Sequence, residues 1–90
     1  PIGCVSLRPL DPDTAEVKRL WVADHARGQG LARRLMQSIE GMARDMGLTT
    51  LKLDTNSALT DALALYHATG WRETPPYTGA PADIWLAKAL

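Results

Sequence analysis

A glycine-rich turn is the part of this sequence whose residue types and spacing most clearly suggest chemistry. It reads Arg27-Gly28-Gln29-Gly30-Leu31-Ala32 and stands between a strand-like segment and a strongly helical one. Glycine lets the backbone approach a ligand closely, and the first turn of a helix offers free N–H groups and a positive dipole end. The turn therefore predicts a phosphate site built from main-chain amides, with Arg27, Arg33 and Arg34 adding positive charge. A tight strand-to-helix turn that binds nothing is the plainer interpretation.

Two common phosphate motifs do not fit this turn. A Walker loop needs four residues between its glycines and a following Lys-Ser/Thr pair, which are missing here. A dinucleotide fingerprint would need a glycine where Arg33 stands. It would also follow a first strand, whereas two strand-like segments precede this turn. Both classes of site are therefore excluded.

The segments around the turn alternate between strand and helix patterns. Apolar residues recur at helical spacing after the turn, at Leu31, Leu35, Ile39, Met42 and Met46. We expect an amphipathic helix there, ended by Gly47, with its methionines in the core. Strands are predicted at 2–7, 15–22, 48–54, 71–74 and 83–88, and a second helix from 59 or 60 to 69, ended by Gly70. The alternation slips at residues 19–21, which is typical of a β-bulge or of a strand covered on both faces. The order β-β-α-β-α-β-β predicts a mixed α/β sheet with helices packed on it.

Bulk composition excludes several function classes. The chain has 90 residues, 46% of them hydrophobic, and its ten basic residues balance ten acidic ones. We therefore expect one globular domain over residues 1–90, without a surface dedicated to nucleic acid or to an anionic membrane. No apolar run is long enough to span a bilayer, and no signal peptide is recognisable, so a cytoplasmic protein is expected.

Cysteine and histidine give no sign of metal or disulfide chemistry. Cys4 is the only cysteine, so it cannot form an intrachain disulfide, and we expect it to be a small core residue. His25 and His67 lack the spacing and the further ligands of a metal site. We expect no metal.

Two stretches of the chain resemble signatures of the GNAT superfamily of N-acyltransferases. Arg27-x-x-Gly30-x-Ala32 is similar to its pyrophosphate-binding signature, and Leu65-Tyr66-x-x-x-Gly70-Trp71 is similar to its Leu-Tyr-x-x-x-Gly-Phe. The two stand in the family's order with its elements between them, and the resemblance covers nearly the whole chain. It implies a mixed, mostly antiparallel sheet and an enzyme that moves an acetyl group from acetyl-CoA directly to an amine.

The resemblance also implies where the cosubstrate lies. Pantetheine would occupy a V-shaped opening between the strand ending at Val22 and the strand ending near Asp54, with its pyrophosphate on the glycine turn. The residues expected to bind acetyl-CoA are Leu20, Trp21, Val22, Arg27, Gly28, Gln29, Gly30, Leu31, Ala32, Arg33 and Asn56. Asn56 is included because Leu59 stands where many relatives carry a pantetheine-binding asparagine.

Two residues are expected to act on protons. Glu16 corresponds to a strand glutamate that relatives use as general base, here acting through water. A solvated glutamate, or one paired with Lys18 or Arg19, is the plainer interpretation. Tyr66 matches the family tyrosine that donates to the CoA sulfur, whereas otherwise it would be a core aromatic. The main-chain N–H of Leu20 would polarise the acetyl carbonyl.

The family fold usually has a strand and two helices before the segment that corresponds to Pro1 onwards. The sequence therefore leaves the acceptor amine open, and an uncovered sheet edge would favour a homodimer. Two other functions stay open: a non-catalytic acyl-CoA-binding or regulatory module of a longer polypeptide, and an assembly domain without a cofactor. The open glycine turn argues against the second.

Overall fold

Strands and helices follow one another along the chain in the predicted order. A computed structural model describes residues 3–23 and 30–90. Its elements are β1 (Gly3–Asp11), β2 (Thr14–Val22), α1 (Leu31–Asp45), β3 (Thr50–Thr55), α2 (Thr60–Ala68), β4 (Arg72–Glu73) and β5 (Ile84–Ala89). The main difference from expectation is that β1 continues past Pro9, which pairs with Ala15. Proline is tolerated there because β1 has a neighbour on one side only in the described sheet.

The strands form one sheet in the order β1-β2-β3-β5-β4. Strands β2 and β3 are parallel, while β1–β2, β3–β5 and β4–β5 are antiparallel. The mixed, mostly antiparallel sheet that was predicted is therefore confirmed. The parallel pair in its centre is the feature that positions the site.

Both helices pack on one face of this sheet. The buried hydrophobic core consists of Ala15, Val17, Met36, Ile39, Ala43, Leu51, Leu53, Tyr66, Trp71 and Leu86. Because side chains alternate along a strand, the residues between these core positions lie on the opposite face. Glu16, Lys18 and Asp54 are thereby brought to one polar surface.

Glycines end both helices as predicted. Gly47 has a φ of 83°, and the next N–H, that of Leu48, donates to the Ala43 carbonyl at 3.0 Å. Gly70 has a φ of 96°, and the N–H of Trp71 donates to the Tyr66 carbonyl at 3.0 Å. These are Schellman caps, in which only glycine adopts the left-handed conformation without strain.

Two predictions about burial are wrong. Met36 is in the core, but Met42 and Met46 are 56% and 66% exposed, because α1 turns the face with Met36 and Ala43 toward the sheet. Cys4 is exposed rather than buried, since it points away from the helices on β1. Of these four residues, only Met36 therefore packs in the core as expected.

Candidate active site

The two central strands separate after a short stretch of pairing. Strands β2 and β3 pair from Thr14 opposite Thr50 to Glu16 opposite Lys52, and both strands continue beyond that point. Unpaired backbone on two diverging strands leaves an opening between them. This is the V-shaped opening that the resemblance predicted.

A bulge bends β2 at this opening. Cys4 is opposite Trp21 while Ser6 is opposite Lys18, so β2 has one residue more than β1 between these pairs. Within the bulge Arg19 has a φ of 58°, which is uncommon for a residue with a side chain. Of the two predicted alternatives, the bulge is therefore confirmed, and a bulge re-aims the side chains and amides beyond it.

A groove of about 590 Å³ extends from the opening to the start of α1. One wall is the end of β2, the floor is the first turn of α1, and the other wall is α2 with the turn before it. The predicted cosubstrate residues on this groove are Leu20, Trp21, Val22, Gly30, Leu31, Ala32 and Arg33. Trp21 is 46% exposed there, which is unusual for a tryptophan on a strand. Arg27, Gly28 and Gln29 lie outside the described residues.

The start of α1 is suited to binding an anion. Gly30 is its N-cap with a φ of 73°, no described side chain caps the helix, and no acidic residue stands in its first turn. Among the described residues, a Cβ at Gly30 would meet nothing within 4 Å. Free amides, the helix dipole and the Arg33 side chain all favour negative charge at this end of the groove.

A second cavity of about 630 Å³ adjoins the groove, and Leu20 and Leu59 line both. Its charged lining residues are Lys18 and Arg19 from β2 and Asp54 from β3. Tyr66 lines it from α2, and residues 78–82 line it from the chain before β5. Groove and cavity therefore meet at Leu20 and Leu59, beside the opening between β2 and β3.

Tyr66 is a buried side chain on the second cavity. The side chain is buried and meets the Trp71 ring edge to face, with centroids 6.0 Å apart. Burial raises the pKa of Tyr66 above its ordinary value because the tyrosinate would be poorly solvated. No hydrogen bond joins its hydroxyl to another described side chain, so the O–H can be donated to a ligand in the cavity.

Glu16 is completely buried rather than solvated. Its Oε2 accepts a hydrogen bond from the Tyr77 hydroxyl at 2.7 Å and lies 3.4 Å from Lys18 Nζ. Its Oε1 lies 3.7 Å from the Arg8 guanidinium. Glu16 lines neither the groove nor the cavity, but Lys18 connects it to Asp54, whose Oδ1 is 3.6 Å from the same ammonium. Lys18 therefore contacts the Glu16 carboxylate and also lines the cavity.

The segment between β4 and β5 supplies residues that sequence reasoning missed. Tyr77 donates to Glu16, and the Thr78 hydroxyl donates to Asp54 Oδ2 at 2.7 Å. The Trp85 indole N–H in turn donates to Thr78 Oγ1 at 2.9 Å. Burial and the hydrogen bond to Glu16 strongly raise the pKa of Tyr77. The three prolines in this segment predicted a loop, but no periodicity signals which loop residue reaches the sheet.

The turn before α2 is tied to the same segment. Asp83 accepts hydrogen bonds from the Ser57 N–H at 2.8 Å and hydroxyl at 2.7 Å, and these bonds lower the pKa of Asp83. Asn56 donates to the Pro81 carbonyl and accepts from the Ala58 N–H. Asn56 lines the cavity, but its amide already has partners on both sides. Its contact with pantetheine stays a prediction.

The described residues, 3–23 and 30–90, show neither a metal centre nor a membrane span. They include no cluster of His, Cys, Asp and Glu that could hold a metal ion. Neither described helix has the length and apolar character needed to cross a membrane.

Comparison with known proteins agrees with this geometry. The model of the acetyltransferase (GNAT) family matches residues 1–71. An uncharacterized N-acetyltransferase of Schizosaccharomyces pombe is 35% identical over 81 residues, covering 89% of this chain and 50% of that protein. An IAA acetyltransferase of Azospirillum brasilense is 37% identical over 93 residues, covering 99% of this chain and 61% of that protein. The chain thus spans about half to three-fifths of the length of these relatives.

A solved structure extends the likeness to three dimensions. A GNAT family acetyltransferase from Elizabethkingia anophelis with acetyl-CoA bound superposes with a TM-score of 0.85 at 27% identity. The superposition covers 99% of this chain and 69% of that one. On the family match, the sheet opening and the uncapped start of α1, this chain belongs to the GNAT acetyltransferase family.

Proposed function

We propose that this chain is the acetyl-CoA-binding part of an N-acetyltransferase that transfers an acetyl group to a primary amine. The observation that carries the proposal is a pair of adjoining cavities, of which one is lined by the helix start at Gly30 and the other by Tyr66. The first suits a pyrophosphate and the second holds a proton donor. That a related structure has acetyl-CoA bound supports this choice of cosubstrate.

The residues of the groove and of the second cavity have distinct roles in this proposal. The amides of residues 29–32 bind the pyrophosphate, and the end of β2 around Leu20 and Val22 hydrogen-bonds pantetheine. The amine nitrogen attacks the thioester carbonyl, forming the N–C bond, and the C–S bond breaks. The Leu20 N–H stabilises the oxyanion, and Tyr66 protonates the departing thiolate.

Glu16 is the proposed acceptor of the amine's proton, acting through water. Its burial beneath Lys18 and Tyr77 supports a role at a distance from the acceptor rather than direct contact. We further propose that the protein works in the cytoplasm, without metal, nucleic acid or membrane. A homodimer through the outer edge of β1 is a separate proposal that sedimentation can test.

The cosubstrate site is tested with a matched pair of variants at Gly30. Asparagine and aspartate have the same shape and both tolerate the left-handed conformation, so they differ in charge alone. We expect Gly30→Asp to weaken acetyl-CoA binding at least tenfold more than Gly30→Asn, because a carboxylate would repel the pyrophosphate. Calorimetric titration of the purified protein measures both. Equal affinities for the two variants would contradict the site.

The catalytic assignments need a turnover assay. With release of free CoA thiol as readout, Glu16→Gln and Tyr66→Phe should each lower kcat by roughly a hundredfold, the ordinary size of general acid–base catalysis. Acetyl-CoA affinity should stay within about twofold of the parent. If the protein binds acetyl-CoA but no amine is acetylated, it is a non-catalytic acyl-CoA-binding module.

A further inference from the structure

The second cavity contains one cation without a partner, and this cation indicates the class of acceptor. Arg19 lines the cavity and is exposed, and it forms no ion pair with any described residue. The other lining cation, Lys18, is held between Glu16 and Asp54 at 3.4 Å and 3.6 Å. The positive charge left unmatched on the described lining is therefore that of Arg19.

Negative charge in the cavity is already matched. Asp54 is the only carboxylate among the described lining residues. Its Oδ1 faces Lys18 Nζ, and its Oδ2 accepts the hydrogen bond from Thr78. A polycationic acceptor would consequently find no free negative charge here, whereas an anionic group would find a free guanidinium.

The backbone at Arg19 is strained, which supports a role for its side chain. A φ of 58° costs an arginine roughly 1–2 kcal/mol that glycine would not incur. The bulge places Arg19 at the mouth of the sheet opening, where the main chain of β2 meets both groove and cavity. Strain of this kind concentrates at ligand sites, where a side chain must point in one direction.

We propose that the acceptor is an amine that also carries a carboxylate, such as an amino acid, and that Arg19 binds this carboxylate. A guanidinium matches a carboxylate with two parallel hydrogen bonds, which would orient the amine within the cavity. This inference rests on the proposed acetyl transfer and defines its substrate class. It makes Arg19 a specificity-determining residue rather than part of the proton chemistry.

The test compares three acceptors that share a side chain and differ at the carboxylate, with each rate divided by the fraction of free amine at the assay pH. L-Leucine, L-leucinamide and 3-methylbutylamine present the same side chain with the anion, with a neutral amide and with neither; glycine, glycinamide and methylamine form a second series. We expect the amino acid of at least one series to exceed both analogues in kcat/KM by about ten- to a hundredfold, the worth of a hydrogen-bonded ion pair. Comparable rates for acid and analogues in the parent protein overturn the inference without any variant.

Variants of Arg19 locate the effect. Arg19→Gln should raise KM for the preferred amino acid about tenfold or more, change rates with the amide less than twofold, and leave acetyl-CoA affinity unchanged. Arg19→Lys keeps the charge and should recover part of the loss. Arg72→Gln is the matched control, because Arg72 is exposed on β4 and lines neither cavity.

The outcomes separate the inference from the proposed function. Equal losses with acid and amide in Arg19→Gln overturn the carboxylate contact, while acetyl transfer itself stands. If only 3-methylbutylamine or methylamine is acetylated, the carboxylate contact is likewise overturned while acetyl transfer itself stands. Failure of acetyl-CoA to bind the parent protein would instead remove the proposed function, and the acceptor inference with it.

Discussion

At the scale of single residues, the Tyr77 hydroxyl is the contact that best explains how Glu16 is kept in place. It donates a 2.7 Å hydrogen bond to a fully buried carboxylate, and Tyr77 itself lies under the Lys52 ammonium, 5.5 Å from the ring centroid. We expect Tyr77→Phe to lower kcat about tenfold with little change in KM for either substrate, because a hydrogen bond to a charged group is worth about 1.5–3 kcal/mol. Steady-state kinetics of the purified variant measure this.

A double variant shows whether Tyr77 acts through Glu16. If it does, Tyr77→Phe should have almost no further effect in a protein that already carries Glu16→Gln, since residues in one hydrogen-bonded network are not additive. Full additivity of the two losses would mean that Tyr77 affects turnover by another route, such as the shape of the cavity. Circular dichroism of each variant establishes that the fold is kept.

The residue scale also shows where sequence reasoning ends. Gly47 and Gly70 could be assigned as helix ends because a left-handed cap needs glycine, and the bulge at Arg19 could be seen because it breaks a two-residue alternation. The contact between Tyr77 and Glu16 joins residues far apart in the chain. No local pattern encodes it, because it depends on how an irregular segment folds over the sheet.

At the scale of elements, an ion pair fastens α1 to β5. Lys88 Nζ lies 2.7 Å from Glu40 Oε1, and the Glu40 side chain is 6% exposed. Lys88→Met should lower the free energy of unfolding by about 3 kcal/mol, because it leaves a buried carboxylate without its main partner. Urea denaturation followed by circular dichroism gives the value.

Two further variants serve as controls for this ion pair. Arg44 is 3.8 Å from the same oxygen but 53% exposed, so Arg44→Gln should cost less than about 1 kcal/mol. Removing both charges, as in Glu40→Gln with Lys88→Met, should cost less than Lys88→Met alone. If the double variant is no more stable than Lys88→Met alone, the loss of stability comes from packing of the lysine stem and not from the unpaired carboxylate.

The elements that form the opening follow from the order of strands. The pattern β-β-α-β-α-β-β predicted which strands exist, and the resemblance predicted that two of them separate. The extent of pairing, which stops at Glu16 and Lys52, could not be foreseen from propensity. It depends on the bend that the bulge imposes on β2 relative to β3.

At the scale of the whole molecule, the groove, cavity and polar face form one unit across both sides of the sheet. Helix α1 supplies an anion site on one side, while the segment before β5 covers Glu16 and Asp54 on the other. Among the described residues, the groove and the cavity share Leu20 and Leu59, and Leu20 lies on β2 beyond the last pair with β3. Stability of the sheet and geometry of the site are therefore linked.

This linkage has a consequence at high pH, because both tyrosines of the chain belong to the site. Burial raises the pKa of Tyr66, and burial with the hydrogen bond to Glu16 raises that of Tyr77. In the unfolded chain both would ionise near pH 10. Above that pH the folded state binds more protons than the unfolded state, so the free energy of unfolding must fall as pH rises further.

We therefore expect the free energy of unfolding to fall progressively above about pH 10. Between about pH 8 and 9.5 these two tyrosines should change it little. Urea denaturation across this range measures the loss, and tyrosinate absorbance reports the ionisation directly. In Tyr77→Phe the tyrosinate absorbance comes from Tyr66 alone. Its titration midpoint should still lie at a higher pH in the folded protein than in concentrated guanidinium. Tyrosinate that forms with a midpoint near 10 while circular dichroism is still native would contradict the burial of these hydroxyls.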